Sequence, residues 1–239
     1  MRQVPRYLLM GDGRIAHHFQ HYFNLLHLSF QTWNRHQPLE LLKNSLHDST
    51  HVLLLISDNA IDTMAKLCLN TTKNSLLVHC SGSIVSEYAY GAHPLMTFNS
   101  SLYSFVHYQE MPFIIDHDAP DFSDLLPGLS NDYARLNTAL KAKYHALCVL
   151  SGNFSCLLWQ KFFDEMEDSF DLPATLLHPY LQRQMENLRR DHRSALSGPL
   201  VRNDRQTIQR NIQALHDDPS QAVYQSFVDY YKEMHHEYS

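Results

Sequence analysis

The sequence predicts an α/β domain built on a parallel sheet, followed by an all-α helical domain. Two continuous apolar runs, "HVLLLI" at 51–56 and "SLLVHC" at 75–80, are typical of strands buried on both faces of a parallel sheet. Segments with helical periodicity alternate with such runs in the first half of the chain, as crossover connections between parallel strands require. After about residue 120 only helical patterns follow, so we place the boundary at residue 131, giving domains 1–131 and 132–239.

Each predicted element has its own pattern of residues. In the first domain we expect, in chain order, strand 6–10, helix 15–26, strand 28–33, strand 51–56, helix 60–69, strand 75–80 and strand 112–116. In the second domain we expect a long helix over 131–161 with a break near Gly152, and a helix over 172–190. Asp204 is expected to cap a helix over 205–215, and Asp218-Pro219 to begin the last helix.

Composition limits the function classes. The net charge of −6 over 239 residues argues against nonspecific binding to nucleic acid, which needs a basic surface. No apolar run approaches the roughly 20 residues of a membrane span, and we expect no signal peptide. The four cysteines show no paired spacing, which favours a reduced, cytoplasmic compartment. The 17 histidines form no metal-binding motif, so we expect no metal site.

The stretch "LLMGDGRIAHHF" carries the most informative motif. Gly11-x-Gly13-x-x-Ala16 follows a strand and opens a helix, as in dinucleotide-binding Rossmann-like domains. The first glycine makes the tight turn, the second lets a pyrophosphate approach the backbone, and the small third residue lets helix and strand pack closely. We therefore expect a cofactor to contact the loop and first helical residues, namely Gly11, Asp12, Gly13, Arg14 and Ile15.

The end of the second strand favours NADP(H) over NAD(H). NAD-binding domains usually place an acidic residue there to bind the ribose, whereas this strand is followed by Asn34 and Arg35, and no carboxylate occurs before Glu40. A guanidinium attracts a 2′-phosphate and can bond it bidentately. An ordinary surface arginine is the alternative explanation for Arg35.

Polar residues follow two later strands, at the sheet edge where ligands bind in α/β folds. Ser57 and Ser81 are predicted to contact the cofactor. His79 is a further cofactor candidate, and a core histidine with a backbone partner is equally consistent with its position. Asp58 is better explained as the N-cap of the next helix.

The motifs "LLLISDNAI", "LVHCSGS", "GAHPLMTF", "KYHALCVLSGNF" and "GPLVRND" occur in this order. With the glycine turn, the chain resembles the DUF2520 group of NADP-dependent oxidoreductases, which join a Rossmann-like domain to a helical domain of unknown function. That group is distantly similar to ketopantoate reductases, pyrroline-carboxylate reductases and 3-hydroxyacid dehydrogenases. The resemblance implies a homodimer formed through the helical domain and an active site between the domains.

The resemblance also directs attention to the helix after the boundary, because related dehydrogenases take a lysine and an asparagine from it. Here that helix offers Lys141, Lys143, His145 and Asn153. We take His145, Lys143 and Asn153 as catalytic candidates, with His145 first because imidazole can donate a proton near neutral pH. In an ideal helix His145 and Asn153 differ by about 12 Å of rise, so they could line one cleft without touching. Packing between helices is the competing explanation for His145.

Two further motifs are weaker candidates. His93 and Thr97 precede the last strand of the first domain, and Arg202 follows a glycine-proline turn. A structural turn explains His93 better than a site role does, and an ion pair with an interdomain carboxylate is the better explanation for Arg202. We predict an NADP(H)-dependent reductase or dehydrogenase that acts on a small molecule. The alternative is a non-catalytic NADP-sensing or interaction protein that retains the fold.

Overall fold

The computed structural model describes residues 4–72 and 75–236. Its strands, in chain order, are β1 (Tyr7–Met10), β2 (Phe30–Trp33), β3 (His51–Leu54), β4 (Leu76–His79), β5 (Tyr90–Pro94), β6 (Phe113–Asp116) and β7 (Tyr133–Leu136). Its helices are α1 (Arg14–Leu25), α2 (Leu39–Asp48), α3 (Ile61–Thr71), α4 (Phe105–Gln109), α5 (Phe122–Leu125), α6 (Lys141–Cys148), α7 (Ser155–Asp168), α8 (His178–Arg190), α9 (Arg205–Ala214) and α10 (Ser220–His236). A π-helical stretch, Val149–Phe154, joins α6 to α7.

One seven-stranded sheet organises the first part of the chain, in the order β2-β1-β3-β4-β5-β6-β7. The pairs from β2 through β5 are parallel, β5 and β6 are antiparallel, and β6 and β7 are parallel. Apolar side chains cover both faces of the sheet, in two separate core clusters. The predicted fold class, an α/β Rossmann-like parallel sheet domain followed by an all-α helical domain, is confirmed, with one antiparallel pair.

The strand order reverses at β1, because β2 lies on one side of it and β3 on the other. In sheets of this kind ligands bind at such a switch point, outside the carboxyl ends of the strands. The turn Gly11–Gly13 follows β1 directly and therefore lies at this point.

The predicted helix over 131–161 is wrong in its first part, which forms β7 and a short 3-10 turn before α6 begins. β7 is an edge strand whose first three residues are exposed, so it has no apolar run for a sequence pattern to show. The predicted break near Gly152 falls within the π-helical stretch. The sequence pattern also missed α2 and β5. The sequence of β5, "YGAHP", lacks a continuous apolar run.

Two compact units divide the chain, one ending at Leu158 and the other beginning at Trp159. The sheet and α6 belong to the first unit, and α8, α9 and α10 belong to the second. The predicted boundary at residue 131 stays a prediction. Asp204 caps α9 as predicted, since its carboxylate accepts a 3.1 Å hydrogen bond from the amide of Thr207. None of the helices in residues 4–72 and 75–236 has the length and apolar character to cross a membrane.

Candidate cofactor and active site

The two glycines of the first turn have different structural roles. Gly11 has a φ of +138°, and a Cβ atom there would collide with the carbonyl of Leu55 at the end of β3. Gly13 has no such neighbour among the described residues, because a Cβ atom built on it meets no heavy atom within 4 Å. Gly11 is therefore required by the turn itself, whereas Gly13 keeps the space in front of the turn open.

The N-terminus of α1 faces this open space with free donors. Gly13 is its N-cap residue, and no side chain of the described residues caps the first turn. The first amide groups of a helix have no intrahelical acceptor, and they lie at the positive end of the helix dipole. Ala16 is completely buried, so α1 packs closely on the sheet as the small third residue of the motif predicts. These features suit a bound phosphate.

A cavity of about 590 Å³ extends from this turn to the end of β2. Its lining residues are Gly11, Asp12, Gly13, Ile15, Trp33, Asn34, Arg35, His36, Leu55, Ile56, Ser57, Ala60 and Met64. Asp12 also lies 3.2 Å from the imidazole of His17, and both side chains are exposed. The guanidinium of Arg35 is exposed and forms no hydrogen bond or ion pair with any residue in the described ranges. It is therefore free to bind an anion.

A second cavity, of about 260 Å³, adjoins the first and shares Ile15, Leu55 and Ile56 with it. Its remaining lining residues are Leu54, Asp58, Cys80, Ser81, Gly82, His93 and His145. It combines the carboxyl ends of β3 and β4 with side chains from β5 and α6. The predicted candidates Ser81, His93 and His145 thus meet at one place.

Gly82 is required by the close approach of two imidazole rings. A Cβ atom there would lie 2.6 Å from His145 Cδ2 and 3.0 Å from His93 Cδ2. The two rings meet edge to face, with their centroids 5.8 Å apart. A side chain at position 82 would push at least one imidazole out of the cavity.

His93 also contacts Tyr144, the residue that directly precedes His145 on α6. His93 Nδ1 and the Tyr144 hydroxyl lie 2.8 Å apart. Burial, helped by the nearby His145 and Lys141, lowers the pKa of His93 to about 4, and burial raises the pKa of Tyr144. Both groups are therefore neutral near pH 7, and the tautomer of His93 decides which of them donates this hydrogen bond.

The side chains at the end of β4 are either uncharged or already hydrogen-bonded to a neighbour. Burial raises the pKa of the Cys80 thiol to about 12, so it carries no thiolate at neutral pH. His79 is fully buried, and its Nδ1 accepts a 3.2 Å hydrogen bond from the amide of Ser81. The hydroxyl of Ser81 donates to Asp58, 2.9 Å away. Asp58 is not the expected helix cap, because Ser57 occupies the cap position and Asp58 begins the 3-10 turn.

Lys141 lies at the first position of α6 and is buried beside Asp116. Its Nζ atom is 2.7 Å from Asp116 Oδ1, and Asp116 Oδ2 accepts a 2.6 Å hydrogen bond from the amide of Gly91. The sequence pattern indicates Lys141 together with the other polar residues of this helix, but it does not point to Asp116 or Tyr144 as site residues. Asp116 could have been noticed as the polar residue that ends the apolar run "PFIID", but β6 runs antiparallel to β5, so the rule applied to Ser57 and Ser81 does not extend to it.

The other predicted site residues lie apart from the two cavities. Arg14 and Lys143 are exposed on the first turns of α1 and α6, and Asn153 is exposed in the π-helical stretch. Thr97 is exposed beyond β5. Their predicted roles, like that of the buried His79, stay predictions. In the part of the chain that is described, no group of three or more His, Cys, Asp or Glu side chains could hold a metal ion.

Comparison with known protein families adds one match, over residues 114–231, to the domain of unknown function DUF2520. Residues 114–231, just under half of the chain, are therefore similar to this domain. This agrees with the resemblance seen in the sequence motifs. The match begins inside β6 and continues into α10. No curated protein matches the sequence significantly.

Solved structures share the fold over nearly the whole chain. A protein from Bacteroides fragilis described as a candidate NADP oxidoreductase is 18% identical, with a TM-score of 0.75, covering 96% of this chain and 98% of its own. An imine reductase from Myxococcus stipitatus in complex with NADP+ is 14% identical, with a TM-score of 0.63, covering 96% and 93%. A Plasmodium falciparum pyrroline carboxylate reductase with NADP bound is 9% identical, with a TM-score of 0.58, covering 96% of each chain. At these identities the likeness establishes the fold.

Proposed function

We propose that this protein is an NADP(H)-dependent oxidoreductase that acts on a small molecule in the 260 Å³ cavity. The observation that carries the proposal is the adjacency of two cavities that share three lining residues, one beginning at an open glycine turn and the other containing two histidines. The reductases with NADP among the solved structures of the same fold support this assignment.

The residues of the larger cavity fit a dinucleotide phosphate. The space at Gly13 and the uncapped amides of α1 suit the pyrophosphate, and the unpaired guanidinium of Arg35 suits a 2′-phosphate. Asn34 is held by its own loop, since its carboxamide oxygen accepts a 3.0 Å hydrogen bond from the amide of His36. That bond fixes the loop that presents Arg35. NADPH bound here would supply a hydride to the substrate.

The protein must supply the proton that accompanies the hydride, and His145 is the residue we assign to this role. It lies at the smaller cavity, and its neighbour His93 is held neutral by burial. We therefore assign the transferable proton to His145 rather than to His93. Cys80 remains a thiol and contributes an apolar wall. The geometry suits reduction of a C=O or C=N bond, or the reverse reaction.

A turnover screen tests the proposal. Purified protein is incubated with NADPH and a panel of imines, keto acids and aldehydes, and loss of NADPH absorbance is followed. We expect at least one class to be reduced, and the rate to fall in His145→Gln. Tight NADPH binding without turnover of any class would favour the NADP-sensing alternative. Absence of NADPH binding would contradict both.

We also propose that the protein forms a homodimer through its helical part, as the resemblance implies. In the unit that begins at Trp159, few large apolar side chains are buried and many are exposed. The exposed ones include Phe162, Phe170, Leu172, Leu176, Tyr180, Met185, Leu188, Val223, Phe227, Tyr230 and Met234. Exposed apolar surface of this extent is typical of an interface.

Light scattering on the purified protein tests the dimer. We expect twice the mass of one chain, and a loss of that dimer in the Phe227→Asp, Tyr230→Asp double variant, whose side chains are 50% and 59% exposed. Exposed carboxylates on another helix, introduced by Leu39→Asp and Leu41→Asp on α2, provide the matched control. A monomer for the unaltered protein would contradict the proposal.

A further inference from the structure

Three residues lie side by side across β4, β5 and β6, and the side chain of Lys141 fills the space that the middle one, Gly91, leaves empty. His79 of β4 pairs with Gly91 of β5, and the next residue of β5, Ala92, pairs with Ile115 of β6. Asp116 therefore lies on the far side of Gly91, where it accepts the hydrogen bond from the Gly91 amide. Paired residues of neighbouring strands point to the same face, so His79 and Asp116 flank the position where Gly91 has no side chain.

The Lys141 ammonium occupies that position. A Cβ atom on Gly91 would collide with Lys141 Nζ and would lie 2.8 Å from Asp116 Oδ2. Only 5% of the Lys141 side chain and 7% of the Asp116 side chain are exposed. The two charges are close enough for an ion pair, yet they are not aligned as a hydrogen bond. A glycine at position 91 is thus what allows a buried charge pair at this point of the sheet.

Two buried donors remain without a hydrogen-bond partner among the described residues, His79 Nε2 and Lys141 Nζ. An incompletely bonded buried charge is costly to stability, so a gain in stability does not account for this pair. Lys141 is the first residue of α6, and His145 lies one helical turn further on the same face. The ammonium therefore fixes the end of the helix that carries His145 to the cavity.

We propose that Lys141 is a positioning residue, whose ammonium anchors the first turn of α6 on the sheet at Gly91 and thereby holds His145 at the cavity. Its contribution to turnover rests on the proposed function, but its effect on the two cavity histidines does not. This differs from the sequence-based assignment of Lys143 to the site, since Lys143 is exposed two residues further on.

The proposal has a direct consequence for His93. The groups that act on its imidazole are Lys141, Tyr144 and His145 from α6 and Asp58 from the end of β3. The Lys141 charge and the approach of His145 both lower the pKa of His93, and Asp58 raises it. If Lys141 is removed, its charge is lost and His145 is released from its position, so the pKa of His93 rises for both reasons.

The test is a histidine titration by NMR in the absence of cofactor, with the His93 signal assigned by its loss in His93→Gln. We compare Lys141→Met, which keeps the length of the side chain, with Gly91→Ala, which displaces the ammonium. In both variants we expect the pKa of His93 to rise by about half a unit or more, and the cross-peaks between the His93 and His145 rings to weaken. Lys43→Met removes the same charge from an exposed position on α2, and it should change neither the pKa of His93 nor the ring cross-peaks.

A lone Asp116 carboxylate could unfold the single variant, so Lys141→Met, Asp116→Asn serves as the second variant, in which the buried pair is replaced by neutral groups of similar size. This double variant also lacks the Lys141 ammonium, so we expect the same rise of the His93 pKa. An unchanged His93 titration and unchanged ring cross-peaks in this folded double variant would overturn the proposal. With a substrate from the screen, we expect kcat to fall in the double variant while NADPH affinity stays constant. A failure to bind NADPH at all would refute the proposed function and leave the titration result standing.

Discussion

At the scale of single residues, neighbouring glycines in one turn meet different demands. Gly11 has a positive φ and lies against the carbonyl of Leu55, so any side chain there strains the turn. Gly13 has ordinary extended dihedral angles, and its surroundings are open. The same sequence motif therefore contains one glycine that the fold needs and one that only a ligand needs.

This difference predicts opposite results for two substitutions. Gly13→Val should leave the melting temperature nearly unchanged and abolish NADPH binding, because the new side chain occupies the space assigned to the pyrophosphate. Gly11→Ala should lower the melting temperature, because its Cβ atom meets the backbone carbonyl of Leu55, directly after β3. Calorimetric titration and thermal melting of both variants check this. A Gly13→Val protein that melts normally and binds NADPH as tightly as before would contradict the phosphate assignment.

At the scale of elements, α6 brings the site together. It begins at the buried Lys141, places Tyr144 in a hydrogen bond with His93, and presents His145 to the smaller cavity. Its own amphipathic character is weak, so tertiary contacts, rather than an apolar stripe, determine where it lies. This explains why the sequence indicated a helix here but did not distinguish Lys141 from Lys143.

Substitution of His145 tests the role assigned to α6. General acid catalysis by a positioned side chain contributes about 10²–10⁴-fold, so His145→Gln should lower kcat by about that factor. NADPH affinity should stay nearly constant, because His145 does not line the larger cavity. Melting temperature and kcat are measured on the same preparation. A destabilised variant with full activity would show that His145 only packs between elements.

The sequence predicted those elements whose patterns are local. Buried parallel strands such as β3 and β4 are apolar throughout, and the glycine turn has a fixed spacing, so both could be recognised. β7 was missed because its residues face solvent, and β5 because it includes Gly91 and His93, which tertiary contacts require. The pairing of Lys141 with Asp116 joins residues far apart in the chain, and no local pattern indicates it.

At the scale of the whole molecule, buried histidines couple stability to pH. Burial is the main cause that lowers the pKa of both His79 and His93 to about 4, below their ordinary value of about 6.5. In the unfolded chain they take up protons at the ordinary value, so between about pH 6.5 and pH 4 the unfolded state binds more protons. Their contribution to stability is therefore complete above pH 6.5 and decreases as the pH falls through this range.

Thermal melting as a function of pH measures this effect. We expect the melting temperature to fall between pH 6.5 and pH 4, and to fall less steeply in His79→Gln, which removes one of the two titrating groups. The exposed His36, replaced by Gln, serves as the control and should leave the slope unchanged. A slope that is the same in all three proteins would contradict the inference that His79 is buried in its neutral form.

The central claim is that the larger cavity binds NADP(H) through Arg35, and parallel calorimetric titrations with NADPH and NADH test it most directly. A charge-assisted contact contributes about 1.5–3 kcal/mol, which corresponds to about tenfold or more in affinity. We predict that the protein binds NADPH at least about tenfold more tightly than NADH, and that Arg35→Asp loses this preference while its NADH affinity is nearly unchanged. Equal affinities for the two cofactors, or an Arg35→Asp variant that weakens both alike, would contradict the claim.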